Sequence, residues 1–166
     1  MNNIFSSNKA ESNINAGEAH TLWSQLQSWY DVLELTEVFL NYTRDVDLRT
    51  LLKHCAELTR QRISTLENTM QHYKIAFPPC PSKIVESHAE SDILTDRIIY
   101  RTIFDIGQAA LLVHANSLNI CENDSLRKVF GDFLANQIKI CDTVAKFGKS
   151  KGWLHYPPAY KSPETN

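Results

Sequence analysis

Glycine and proline are scarce in this chain, five and six among 166 residues, where ordinary usage is about 7% and about 5%. An all-β sandwich needs a turn roughly every 8–12 residues, commonly made with Gly, Pro or Asn-Gly, and these residues cannot supply them. No glycine-rich strand-to-helix turn exists either, which disfavours a doubly wound nucleotide-binding fold. Runs of Lys and Arg stop at two residues, and the formal net charge is −2 with a pI near 6.3. The electrostatics of a nucleic-acid binder are missing, so no nucleic-acid partner is expected. Apolar runs end after four or five residues, as in Ala109-Ala110-Leu111-Leu112-Val113, so no membrane span is expected. The opening MNNIFSSNKAESNIN has no apolar signal core. Four cysteines, at 55, 80, 121 and 141, form no C-x-x-C pair. They read as reduced thiols of a cytoplasmic protein.

What is present is helical periodicity. Residues 1–16, rich in Asn and Ser, read as a disordered arm. A first helix then carries Leu22, Leu26, Trp29, Leu33, Glu37 and Leu40 on one face. Asp45 or Asp47 caps a second, striped by Leu48, Leu51/Leu52, Cys55, Leu58/Thr59, Ile63, Leu66, Met70 and Tyr73. A third is expected from Glu90–Asp92, with Ile93, Tyr100, Ile103/Phe104, Gly107, Ala110/Leu111, His114 and Leu118 inward. The fourth turns in Leu126, Val129/Phe130, Phe133, Gln137, Ile140/Cys141, Val144 and Phe147, with Gly148 as its C′ residue. An extended tail over 149–166 follows, its Trp153, Tyr156 and Tyr160 expected to pack back on the bundle.

The pattern defines an all-α four-helix bundle over 17–148, with helices about 36–45 Å long. All six prolines lie outside the helices, at 78, 79 and 81 and at 157, 158 and 163. The first group interrupts a connection of roughly 17 residues, which extended reaches about 56–60 Å. That is enough to run the whole bundle and start helix 3 parallel to helix 2. Such a crossover is favoured over an up-down-up-down return, which needs only a few residues.

Several motifs strengthen this picture. Gly17-Glu18-Ala19 and Leu22-Trp23-Ser24 open helix 1, and Asn41-Tyr42-Thr43-Arg44-Asp45-Val46-Asp47-Leu48 forms the first turn. Phe77-Pro78-Pro79-Cys80-Pro81-Ser82-Lys83 lies in the crossover, and Lys151-Gly152-Trp153-Leu154 followed by Pro157-Pro158 closes the chain. With these motifs, over about residues 17–160, the chain resembles a ferritin-like family of unknown function from spore-forming Gram-positive bacteria, some of whose members are labelled spore coat protein-like. Tyr42-Thr43-Arg44 departs from the family's common His-Thr-Gly at that turn. The resemblance implies a bundle and a spore context, and no established reaction.

A ferritin-like bundle can hold two metals with one Glu from each of two helices and a Glu-x-x-His from each of the others, all inward at one height. This chain has no Glu-x-x-His. Glu57 of the reversed His54-Cys55-Ala56-Glu57 lies about 200° from Cys55 and is expected to face water. The candidate ligands are Glu37 on the inner stripe, Glu34 and His54 at its flanks, Gln137, and His114 some two turns nearer the 3–4 connection. This set is poor in carboxylate for two irons, while a single Zn²⁺ could take two His and a Glu. Three functions are consistent with it. The first is a non-catalytic structural or interaction bundle, spore-coat related and self-associating as a homodimer through Val32, Leu35 and Phe39. The second is a metal protein of Fe, Mn or Zn with a reduced ligand set. The third is a small-molecule sensor with a pocket lined by Trp29, Tyr100 and Phe104. Cys55 and Cys141 read as small core hydrophobes. Cys80 is expected to be exposed, where an intermolecular disulfide would suit an assembly.

Overall fold

The computed structural model describes residues 13–80, 93–155 and 157. Residues 1–12 of the expected arm, 81–92 of the crossover, and Tyr156 and Tyr160 of the tail lie outside the described residues. Four helices carry the fold: α1 (Ala16–Tyr42), α2 (Val46–His72), α3 (Asp96–Ile120) and α4 (Asp124–Lys151).

Each helix starts on a side-chain oxygen that meets an otherwise unpaired backbone N–H. Asn15, Asp45, Thr95 and Asn123 accept from the amides of Glu18, Leu48, Ile98 and Leu126 respectively. In α1 the bond is reciprocal, because the Glu18 carboxylate accepts from the Asn15 amide at 2.8 Å. α3 thus begins at Thr95, later than the expected Glu90–Asp92, and Ile93 is exposed outside it. Thr95 offers the capping hydroxyl and Asp96 supplies the negative charge of the first turn.

The far end of α4 also differs from expectation. The helix runs past Gly148 to Lys151, and Gly152 takes the left-handed conformation, φ 67°, that ends it. Gly148 has another cause. A Cβ there would lie 1.8 Å from the Tyr100 hydroxyl oxygen, so its missing side chain is what lets the Tyr100 ring sit against α4. Trp153 packs back on the same ring, with centroids 5.9 Å apart.

Contacts at the two ends establish the topology. At one end the Glu18 carboxylate accepts from the amides of Glu122 and Asn123, both at 2.8 Å. Tyr73, after α2, reaches Asn123 there too. At the other end Asp96 accepts from the amides of Arg44 and Asp45, and Lys151 pairs with Asp45 and Asp47. α2 therefore finishes at the end opposite to the start of α3. The connection between them crosses the full length, leaving α2 and α3 parallel, as the proline-rich spacing predicts.

The buried seam of α1 is polar as well as apolar. Glu18, Leu22, Gln25, Trp29, Thr36, Phe39 and Thr43 are buried, a 3.5-residue repeat like that of a left-handed coiled coil. Following apolar residues alone shifts the stripe to Leu33, Glu37 and Leu40, which are half-buried. The face of Val32, Leu35 and Phe39 expected to pair with a second copy belongs instead to this chain's core. Phe39 is buried, and Val32 and Leu35 pack against the core clusters.

Candidate functional site

The midpoint of the bundle holds the candidate site, and its central residue is an arginine. Arg62 projects inward from α2 and is only 7% exposed. Its Nη2 donates to Gln137 Oε1 of α4 at 2.7 Å. Gln137 Nε2 in turn donates to the Gly107 carbonyl of α3 at 2.9 Å, and the Cys141 thiol donates to the same oxygen at 3.2 Å. The guanidinium carbon lies 4.6 Å from the ring centroid of Trp29 on α1 and 5.9 Å from that of Phe133 on α4. All four helices thus meet around one cation.

No described carboxylate forms an ion pair with Arg62. Burial lowers its pKa to about 10, which leaves it charged at neutral pH. Taking such an ion out of water costs several kcal/mol even after relaxation. Cation–π contact with the indole offsets about 2 kcal/mol of that, and one charged hydrogen bond offsets about 1.5–3 kcal/mol. Burial also pushes the Cys55 thiol up to about 11, so it is neutral and supplies no counter-charge.

Beside Arg62 lies a cavity of about 50 Å³. Thr36, Thr59, Ile103, Gly107 and Gln137 contribute to its wall, along with Trp29 and Phe104. Two of the three residues expected to line a sensor pocket are therefore on it. Tyr100, the third, is buried under Gly148 and Trp153 instead. The hydroxyls of Thr36 and Thr59 donate to the carbonyls of Val32 and Cys55, one turn back in their own helices.

His114 is fully buried between Trp29 and Phe133, with ring centroids at 5.5 and 5.4 Å. Among the described residues neither ring nitrogen has a hydrogen-bond partner, and Gln25 Oε1, one turn from Trp29, also lacks one. Burial first, and the Arg62 charge second, lower the His114 pKa to about 3. The ring is neutral at physiological pH.

The remaining expected ligands do not join it. Glu37 is 42% exposed at its side chain and pairs with Arg60 at 2.8 Å. It is not on the inner stripe. Glu34 is half-buried elsewhere on α1, and His54 is exposed in a shallow groove between α2 and α4. Glu57 faces water. Side chains lean toward the N-terminus of their own helix, so in an antiparallel pair each contact joins residues farther along both chains. Glu37 meets Arg60, and Tyr30 donates to Glu67 at 2.6 Å.

Among the described residues no group of three or more His, Cys, Asp and Glu side chains could hold a metal ion. At the middle of the bundle this chain presents Arg62, Gln137 and the Gly107 carbonyl. A fixed cation beside neutral donors does not fit two or three positive metal charges. Sequence reasoning missed Arg62 because a charged residue adjoining Ile63 reads as surface. The available signal was position: Trp29, Arg62, Gly107 and Gln137 all fall near the midpoints of their helices.

Fold and centre together define a ferritin-like four-helix bundle whose middle is cationic rather than acidic. The chain belongs to the DUF3231 family of proteins of unknown function, whose model matches residues 2–165. It is 21% identical over 161 residues, 95% of each chain, to the uncharacterized protein YvdQ of Bacillus subtilis. Its fold is similar to that of a candidate spore coat protein from Bacillus halodurans, with a TM-score of 0.83 at 20% identity. That match covers 89% of this chain and 96% of the other. A two-domain protein of Anabaena variabilis, with DJ-1/ThiJ/PfpI-like and ferritin-like domains, matches with a TM-score of 0.69 at 13% identity. There 97% of this chain and 47% of the other are covered. No described helix is long and apolar enough to cross a membrane.

Proposed function

We propose that this protein is a non-catalytic ferritin-like bundle with a structural or interaction role in the spore, associating with itself or with coat proteins. The observation that carries the reading is Arg62, buried at the middle of the bundle and hydrogen-bonded to the neutral Gln137 where a metal centre would need acidic ligands converging. An Fe, Mn or Zn centre built from Glu34, Glu37, His54, His114 and Gln137 would require side chains that point to different places. The spore context is supported by likeness to the Bacillus halodurans protein, and self-association by apolar side chains exposed on α3, Leu112 and Val113 among them.

Two measurements test this. Aerobic oxidation of Fe(II) followed by absorbance is expected to proceed at the protein-free rate; a protein-dependent turnover would revive the metal reading. Fractionation of sporulating cells is expected to recover the protein with the coat extract, as a dimer or larger assembly by sedimentation of the purified chain. Exclusive recovery as a monomer in the vegetative cytosol contradicts the proposal.

A further inference from the structure

Arg62 is an incompletely paired cation at the centre of the bundle. Its hydrogen bond to Gln137 is the only one it makes among the described residues, although a guanidinium has five N–H donors. Its partner there is neutral, its other close neighbours are aromatic faces, and no described acid pairs with it. The cavity it lines is walled by neutral side chains, so its net charge comes from Arg62 alone. The occupant favoured by such a site is an anion. The volume sets its size: about 50 Å³, against the roughly 150 Å³ of a cavity that takes benzene, admits an ion of only a few heavy atoms. The planar guanidinium fork matches a planar oxyanion that accepts two parallel hydrogen bonds. Ile103, Phe104 and the other apolar wall residues oppose a strongly hydrated dianion.

We propose that the cavity beside Arg62, at the centre of the four helices, binds a small planar monovalent oxyanion through the guanidinium: a short carboxylate, or nitrate or bicarbonate of the same shape. Cys55, Phe104, Ile106 and Ile140, which also line the cavity, are half-buried, so entry needs side-chain movement rather than separation of the helices. The site stands independently of the spore role proposed above, since the cavity and its charge belong to the isolated chain.

Thermal unfolding and isothermal titration of the full-length protein test the proposal. Sodium acetate, formate, nitrate and bicarbonate are compared with chloride and sulfate at equal ionic strength. Saturable one-to-one binding is expected, with Tm raised by roughly 5–10 °C at a hundred times Kd. A response to acetate and formate alone assigns an organic carboxylate, and one to nitrate or bicarbonate alone an inorganic anion. Gln137→Glu would place a carboxylate on Arg62 from within and is expected to abolish the response while helicity is retained. Arg62→Met should abolish it as well; if that variant does not fold, Gln137→Glu carries the comparison. Three results would overturn the proposal: no saturable shift with any planar anion, an equal response to sulfate, or an undiminished response in folded Gln137→Glu.

Discussion

His114 and Arg62 share the aromatic layer of Trp29 and Phe133 but differ in their consequences for pH. The folded pKa of His114, about 3, lies below its ordinary 6.5. Between those values the unfolded chain holds a proton that the folded chain lacks, so stability rises with pH and is lost as pH falls below about 6.5. The limit for one such group is about 1.4 kcal/mol per pH unit. His114→Leu is expected to flatten this acid limb between about pH 6.5 and pH 4. At pH 7 it should change stability by less than about 1 kcal/mol, because no hydrogen bond is removed. Urea titrations across pH check both; an unchanged limb contradicts the neutral buried ring. Arg62 stays charged throughout that range and adds no slope. His114 as an inward residue was legible from its place in the α3 stripe. Its lack of partners was not, because that depends on what three other helices put beside it.

Gly148 and Gly131 make a second pair at this scale. In α4 a Cβ at Gly131 meets nothing within 4 Å, so Gly131→Ala is expected to stabilise by up to about 1 kcal/mol through helix propensity. Gly148→Ala drives a methyl into the Tyr100 ring, whose Cζ would be 2.2 Å away. It is expected to destabilise by about 1–3 kcal/mol or more. Denaturant midpoints of the two variants should move in opposite directions.

Among the elements, the helix starts explain most of the order at the ends of the bundle. Glu18 caps its own helix and also takes the two amides of the α3–α4 turn. Burial works to raise its pKa, but the amides of Asn123, Asn15 and Glu122 outweigh it and hold the carboxyl below its ordinary value. Its contribution is therefore present at neutral pH and lost as pH falls through that lowered value. Glu18→Ala removes the capping box and takes the carboxylate acceptor away from the amides of Glu122 and Asn123. A loss of about 2–3 kcal/mol is expected by chemical denaturation. Opening Gly-Glu-Ala marked the start of α1 in the sequence, but the second duty of Glu18 lies 104 residues away and has no local signal. The four helices themselves were legible because their apolar periodicity is strong. The drift of the α1 seam was not, because four of its seven buried positions are Thr, Gln and Glu, whose burial depends on hydrogen bonds made after packing.

For the whole molecule, proline placement and chain length were enough to anticipate the crossover. An extended connection of that length can span the bundle, and the contacts at both ends require it to. Proline could not report the centre. Whether a ferritin-like bundle holds metal depends on which side chains meet at mid-height, and in α1 Thr36 takes the inward place that an apolar stripe assigns to Glu37. The centre is a cation held by aromatic faces and one amide. We propose that this cationic centre holds no metal ion, and elemental analysis of protein purified without chelator tests that most directly. Iron, manganese and zinc are expected far below one per chain, with no gain after incubation with excess metal and desalting. One or two tightly held metal ions per chain, lost on His114→Ala or Glu37→Ala, would contradict it.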